Sequence, residues 1–306
     1  MKYFFAPVQG HTDAAYRHFH VSRYDKDKVI YTTPFIRWEK DGLRTKDIKD
    51  LTSELNANTH LTPQIIFRDK EELCNLISSL KQLKVKEINL NMGCPFPLQT
   101  GHGRGASTVA NKELCDIIPE VIKENADIRF SVKMRLGMNR PDEWEHLLQQ
   151  LNTVELDYLA VHPRFAKQQY GGEINFDEFE NILKKSSNPV VYNGDIKTIE
   201  DYNKLITHFP EISGVMVGRG VLGRPSLLTE IKDNKEWTKE RRISEMLAFH
   251  RELLNHYENT LSGEAQIISK IKPFWEYAEE EIGRKPWKLI KKATSLPKYK
   301  TAIAQI

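Results

Sequence analysis

Glu87-Ile88-Asn89-Leu90-Asn91-Met92-Gly93-Cys94-Pro95, followed by Phe96-Pro97-Leu98-Gln99-Thr100-Gly101-His102-Gly103-Arg104-Gly105-Ala106, is the stretch from which the fold can be read. Residues 87–92 form a short apolar run of strand type. Gly93 breaks it, and Pro95, lacking an N–H, keeps the strand from resuming. A thiol on the first turn after a buried strand is held firmly and faces a cavity. Gly101, Gly103 and Gly105 then recur at every second position, a pattern that lets the backbone pass close to a ligand. Taken alone, a Cys-Pro pair reads most simply as a buried structural cysteine in a glycine-rich connection. On either side the period changes to that of a helix. Leu73, Leu76, Ile77 and Leu80 share one face of residues 70–83, and residues 112–125 and 142–151 repeat the pattern.

Runs like 87–92 recur at 3–8, 29–35, 63–67, 129–136, 158–162, 189–193 and 214–217, making eight with helical segments between most of them. Thr198 is a plausible N-cap for the helix after the seventh run, with Glu200 and Asp201 in its first turn. Alternation of this kind means βαβ units and parallel pairing. Eight units close into a (β/α)8 barrel, and a doubly wound open sheet is the competing arrangement. Polar residues gather at the C-terminal ends of the runs: Gln9, Arg37, Asn91 with Cys94, Lys133 with Arg135, His162, Asn193 with Asp195, and Arg219. In a barrel these ends form one rim, where active sites of this fold are built. Asn193-Gly194-Asp195 and Gly218-Arg219-Gly220 follow the seventh and eighth runs, where barrels often hold a phosphate. A phosphate there with Lys133 in the middle of the rim suits FMN. It equally suits a phosphosugar over a Schiff-base lysine.

The chain has 306 residues, 40% hydrophobic and 28% charged, a balance expected of a soluble protein. No apolar run reaches the roughly 18 residues that span a bilayer, so no membrane association is expected. The first ten residues are too short an apolar stretch for a signal peptide. Cys74, Cys94 and Cys115 form no CxxC pair, which points to a reducing cytoplasm and no metal site. The net charge is +3, but residues 268–306 hold nine Lys/Arg against four Glu, or +5. The polar stretch 232–239 marks a domain boundary. A barrel of residues 1–235 precedes it, and a small all-helical domain of residues 236–306 follows. Helices are expected at 241–261, 264–281, 286–294 and 297–306. Lysines there interleave with Trp275, Tyr277, Trp287 and Tyr299, a mixture found in helical cores and on RNA-binding surfaces.

Together these pieces resemble the tRNA-dihydrouridine synthase family along nearly the whole chain. They are Ala6-Pro7-Val8-Gln9-Gly10 with Thr12, Asp13 and Arg17; 89–95 and 101–106; Val132-Lys133-Met134-Arg135-Leu136-Gly137; Val161-His162-Pro163-Arg164; Asn193-Gly194-Asp195; and Val217-Gly218-Arg219-Gly220. Departures are Val8, where the family usually has Met, and Arg104 with Ser107 and Thr108, where small or apolar residues are common. The resemblance implies FMN as cofactor, NADPH as hydride donor, tRNA as partner, and reduction of a uridine to 5,6-dihydrouridine by a monomer. It implies that Cys94 is the proton donor and that Pro7, Val8, Gln9 and Gln64 line the flavin. Lys133 and His162 would contact the flavin ring, and Asn193, Gly194, Asp195, Gly218 and Arg219 would hold its phosphate. Asn91 would orient the base. The C-terminal part is most similar to the C-type branch, which implies RNA contacts from Arg37, Tyr170, Lys270, Lys272 and Tyr277, and action at uridine 16. Reduction of a ribosomal RNA uridine or a free pyrimidine is the alternative activity; the basic helical end favours RNA over a small molecule.

Overall fold

Eight parallel strands pair in sequence order around a ring in the computed structural model, which describes residues 1–24, 29–40 and 42–306. Lys2–Phe5 lies between Gly214–Val217 and Val29–Thr32, so the eighth strand is joined to the first and the first to the second. The third strand is split by Pro63 into His60–Thr62 and Gln64–Ile66. Its first half pairs with Val29–Thr32, while its second pairs with Ile36–Glu39 and with Glu87–Met92. The proline lacks an N–H to give the ladder. At the break Thr33 takes over, its N–H donating to the Thr62 carbonyl at 3.1 Å and its hydroxyl accepting from the Gln64 N–H at 3.0 Å. The ring continues through Arg129–Arg135, Leu159–His162 and Val190–Asn193 to Gly214–Val217. This is the closed barrel, not the open sheet.

Local chemistry starts the helices where they are needed. Asp69, Asn111, Asn175 and Thr198 each accept a hydrogen bond from a first-turn N–H of the helices Lys70–Gln82, Lys112–Glu124, Phe176–Lys185 and Ile199–His208. Thr198 and Asp201 form a reciprocal capping box. The apolar faces of these helices bury Leu76, Ile118, Phe179 and Leu205 against the outside of the barrel. Inside the barrel, Phe4, Tyr158, Ala160, Val191 and Met216 make a separate apolar plug, with the Phe4 and Tyr158 rings 4.4 Å apart. A short antiparallel pairing of Ile36–Glu39 with Gly42–Leu43 was not foreseen from the sequence.

No strand follows Gly214–Val217 among the described residues. Leu227–Asp233 is followed by Lys239–Thr260, the longest helix, and by shorter ones. The expected helix at 264–281 is instead Glu264–Ile271, a 3-10 turn at Lys272–Trp275 and Glu279–Ile282. Pro273 ends the first piece, since its ring and missing N–H do not fit a helix interior. This region packs on the barrel through helix Ala14–Tyr24. The Phe249 ring meets Tyr16 at 4.9 Å and Tyr24 at 5.8 Å, and both parts share one continuous apolar core.

Candidate active site

The C-terminal ends of the strands open into a cavity of about 690 Å³. A column of amides rises through the barrel to its floor. The Asn89 amide donates to Ser131 Oγ at 2.9 Å, and Gln64 Nε2 donates to Asn89 Oδ1 at 2.7 Å. Asn91 Nδ2 donates to Gln64 Oε1 at 2.6 Å. Asn91 Oδ1 accepts the backbone N–H groups of Gly93 and Cys94 at 3.1 and 3.0 Å. Both ends of the Asn91 amide are therefore engaged in fixing the turn that carries Cys94.

Cys94 lines the cavity and is 7% exposed. Burial raises its thiol pKa above the ordinary value, partly opposed by the Phe96 backbone N–H and the charges of Lys133 and Arg135. The thiol is thus protonated at neutral pH. The glycines after it serve the loop, not a ligand. Gly105 has φ +64°, and a Cβ there would lie 2.6 Å from the Cys94 carbonyl oxygen. A Cβ on Gly101 would lie 2.9 Å from the Pro97 carbonyl oxygen. None of Gly101, Gly103 and Gly105 lines the cavity. The loop folds back so that the Ala106 N–H reaches the Cys94 carbonyl at 3.0 Å. Buried Arg104 clamps it from outside by a two-pronged pair with Glu72.

Opposite Cys94 stand cations. Burial and the neighbouring Arg135 push the Lys133 amine down to about 7, against a smaller upward pull from Cys94. Burial first, then the surrounding cations led by Arg135, hold His162 well below its usual range, so the imidazole is neutral. Arg164 Nη1 lies 3.3 Å from His162 Nε2. A guanidinium can only donate, so Nε2 accepts and the ring proton sits on Nδ1. Arg164 also donates to Asp195 Oδ2 at 2.6 Å, and Arg219 donates to Asp195 Oδ1 at 2.9 Å. Asp195 therefore orients two guanidinium groups, and as a carboxylate it meets an anion only through them. Asn193 is committed as well, its amide donating to the Met216 carbonyl at 2.7 Å.

The structure brings most of the expected residues to one place. Pro7, Val8, Gln9, Gln64, Asn91 and Cys94 line the cavity, as do Lys133, His162, Asn193, Gly194 and Asp195. Gly218, Arg219, Tyr170 and Tyr277 complete the set. Three expected RNA contacts lie outside it. Arg37 pairs with Glu39 at 2.7 Å, and Lys270 with Asp13 at 2.8 Å. Lys272 Nζ donates to the carbonyls of Lys291 and Ala293, at the end of helix Arg284–Lys292. Sequence reasoning gave no role to Phe96, His11 or Glu276, which also line the cavity. His11 Nε2 lies 2.9 Å from Glu276 Oε2, joining the loop after the first strand to the helical region. No local signal announces such a pair, because 265 residues separate its members. Among the described residues there is no cluster suited to a metal ion and no helix long and apolar enough to cross a membrane.

Comparison with known proteins agrees with this geometry. The family model described as Dihydrouridine synthase (Dus) matches residues 4–302. A probable tRNA-dihydrouridine synthase of Treponema pallidum is 27% identical over 304 residues, covering 93% of this chain and 86% of its own. A human tRNA-dihydrouridine(47) synthase [NAD(P)(+)]-like protein is 27% identical over 210 residues, covering 68% of this chain and 32% of its own. Among solved structures, the old yellow enzyme from Trypanosoma cruzi superposes with a TM-score of 0.53 at 9% identity, over 78% of this chain and 89% of that one. That likeness is one of fold.

Proposed function

The chain belongs to the dihydrouridine synthase family, and on that premise we propose that it reduces a uridine of tRNA to 5,6-dihydrouridine, with FMN as cofactor and NADPH as hydride donor. The observation that carries this reading is the protonated, buried Cys94 thiol facing a cavity whose other wall is Lys133, neutral His162 and paired arginines.

The donor set suits FMN. Pro7 and Val8 offer an apolar wall, and the floor amides of Gln64 and Asn91 are locked in orientation by the column beneath them. At the far side Gly194 and Gly218 leave backbone uncovered next to Arg219 and Arg164, which suits a phosphate. The volume falls in the range of cofactor pockets. When bound and reduced, the flavin supplies a hydride to one carbon of the uracil double bond. Cys94 gives its Sγ proton to the other carbon, which completes the addition of two hydrogens. Lys133 and Arg135 then stabilise the thiolate until it is reprotonated from solvent. Asn91 acts through Cys94 by holding its turn, Lys133 and Arg135 set the charge of the wall, and neutral His162 lines it.

The base enters from the RNA only after leaving its stack. We assign residues 1–235 to the catalytic part and residues 236–306 to RNA binding by a monomer. Tyr277 lines the rim beside His11, and Lys270 reaches the loop after the first strand through Asp13. Exposed Arg284, Lys285, Lys288, Lys291 and Lys292 extend the basic surface. The test is to incubate unmodified tRNA with purified protein, FMN and NADPH, and to map dihydrouridine by mass spectrometry. A single modified position establishes the activity. Uridine 16 agrees with the C-type likeness, and position 47 with the name of the human relative. Reduction of ribosomal RNA or free uridine alone overturns tRNA as substrate.

A further inference from the structure

Few large apolar side chains are exposed among the described residues, and three of them are Phe96 at 47% and Tyr170 at 41%, at the cavity mouth, and Leu98 at 69%, just beyond Phe96 in the chain. The Phe96 and Tyr170 rings lie 6.1 Å apart and both line the cavity that holds Cys94. Leu98 stands beyond Pro97 on the same loop, in the short helix Pro97–Thr100. Two guanidinium groups flank this lip, while Glu276, Glu279, Glu280 and Glu281 line the cavity on the side of the helical region. The Arg219 guanidinium lies 4.3 Å from the centre of the Tyr170 ring and that of Arg135 lies 5.3 Å away. Arg135 pairs with no carboxylate among the described residues; its Nη1 donates to the Phe165 carbonyl at 3.1 Å.

We propose that Phe96, Leu98 and Tyr170 form a stacking lip for an unpaired nucleobase adjacent, in the RNA, to the uridine being reduced. The proposal rests on the RNA substrate argued above and adds a second binding position to it. Aromatic faces flanked by guanidinium groups match a nucleotide, which offers a π-face and an anionic backbone together. The reacting uracil must pass inward to a thiol that is nearly buried. Phe96 and Tyr170 are far more exposed than Cys94, so the lip lies on the solvent side of the thiol, where a neighbouring base meets it. Every base has a π-face, so the lip contributes affinity without reading identity. It holds the strand while the uridine is out of its stack, offsetting part of the unstacking cost.

The experiment uses the flavin-loaded enzyme and tRNA carrying 2-aminopurine beside uridine 16 or, in a second substrate, beside uridine 47. The wild type is expected to change the 2-aminopurine fluorescence on binding. Phe96→Ala is expected to remove that change and to raise KM for tRNA about tenfold, with Phe96→Trp restoring both. Leu98→Asp serves as a second variant at the most exposed position, and is expected to shift KM in the same direction. Flavin absorbance, read alongside, reports on the cofactor site. Fluorescence and KM within twofold of wild type in both Phe96→Ala and Leu98→Asp overturn the lip. If the wild type forms no dihydrouridine, yet shows a fluorescence change that Phe96→Ala abolishes, the lip stands and the proposed reaction falls. With neither signal, both fall.

Discussion

The proposed proton donor has to hold its proton at neutral pH until the reaction begins, and the surroundings of Cys94 favour this by desolvation. Replacing the CH2SH side chain by a methyl group removes the donor and little else. Cys94→Ala is expected to keep its yellow flavin absorbance and to lose dihydrouridine formation by about 10²–10⁴-fold, the usual worth of a general acid. The pH dependence has a definite sign. A donor works below its pKa, and this one is raised above the ordinary thiol value. The rate at which tRNA oxidises the reduced flavin should therefore not rise from pH 7 to 8, where Lys133 also loses its charge, and should decline in alkali. A rate that rises with pH over that range would identify a thiolate nucleophile and remove Cys94 from the acid role. Buried His250 gives a second case. Burial, with a small contribution from Arg251, pushes its pKa down to about 3. Between there and the unfolded value near 6.5, the unfolded chain binds a proton that the native one does not. Stability then falls as pH drops, by about 1.4 kcal/mol per unit from this group alone. Denaturant titrations at pH 7 and pH 5 should show this loss in the wild type and a smaller one in His250→Asn.

Elements are fixed here by contacts of two ranges, and the two differ in how well they can be read. The strands were legible because apolar runs alternate with helical periodicity, and the Thr198 cap because it acts within three residues; Asp69, Asn111 and Asn175 act over the same range and were not read from the sequence. The helix break at 272–275 was misread because the apolar pattern continues across Pro273. The glycines after Cys94 were misread for another reason. Gly105 is constrained by the Cys94 carbonyl, reached only once the loop has folded back, and Gly101 by the Pro97 carbonyl. Gly105→Ala tests this directly. Its φ of +64° disfavours any side chain, and the added Cβ meets backbone, which cannot swing aside. Dihydrouridine formation should fall further than stability does, because the displaced atom is part of the turn that aims the thiol. Equal losses in both would make the glycine a matter of folding alone. The C-terminal helices offer a parallel case. Trp275 Nε1 donates to the Tyr299 oxygen at 2.9 Å, and the same hydroxyl pairs with His250 Nε2 at 2.7 Å. Tyr299→Phe leaves both ends buried and unpaired and should cost about 1–3 kcal/mol in denaturant unfolding.

The molecule as a whole is a barrel and a helical region built on one core. The rings of Tyr16, His20 and Tyr24 on a barrel helix interlock with Phe249 and Phe274 of the helical region, within a single continuous apolar cluster. Polar ties cross the same junction: Asp13 accepts from both Tyr257 and Lys270, and Arg23 pairs with Glu245 and Glu252. Residues 1–235 expressed alone would expose that aromatic face and should aggregate, whereas the full chain should unfold in one transition. Charge is divided more sharply than packing. Residues 268–306 carry +5 of a net +3, so everything before them sums to −2. Of the lysines in that end, Lys272 is occupied in capping a helix and Lys270 in holding Asp13. Those on helix Arg284–Lys292 project into solvent, with Lys291 lying over the Trp287 ring at 4.2 Å. A polyanion gripped by such side chains releases counterions, so the logarithm of its affinity falls linearly with the logarithm of salt. Replacing Lys285, Lys288 and Lys292 together by Gln should flatten that slope for tRNA by about two to three, at roughly 0.7–0.9 per phosphate contact. Flavin absorbance should persist, since none of the three lines the cavity. An unchanged slope would move the RNA to another face, and the charge of this end would then be an ordinary solvated surface.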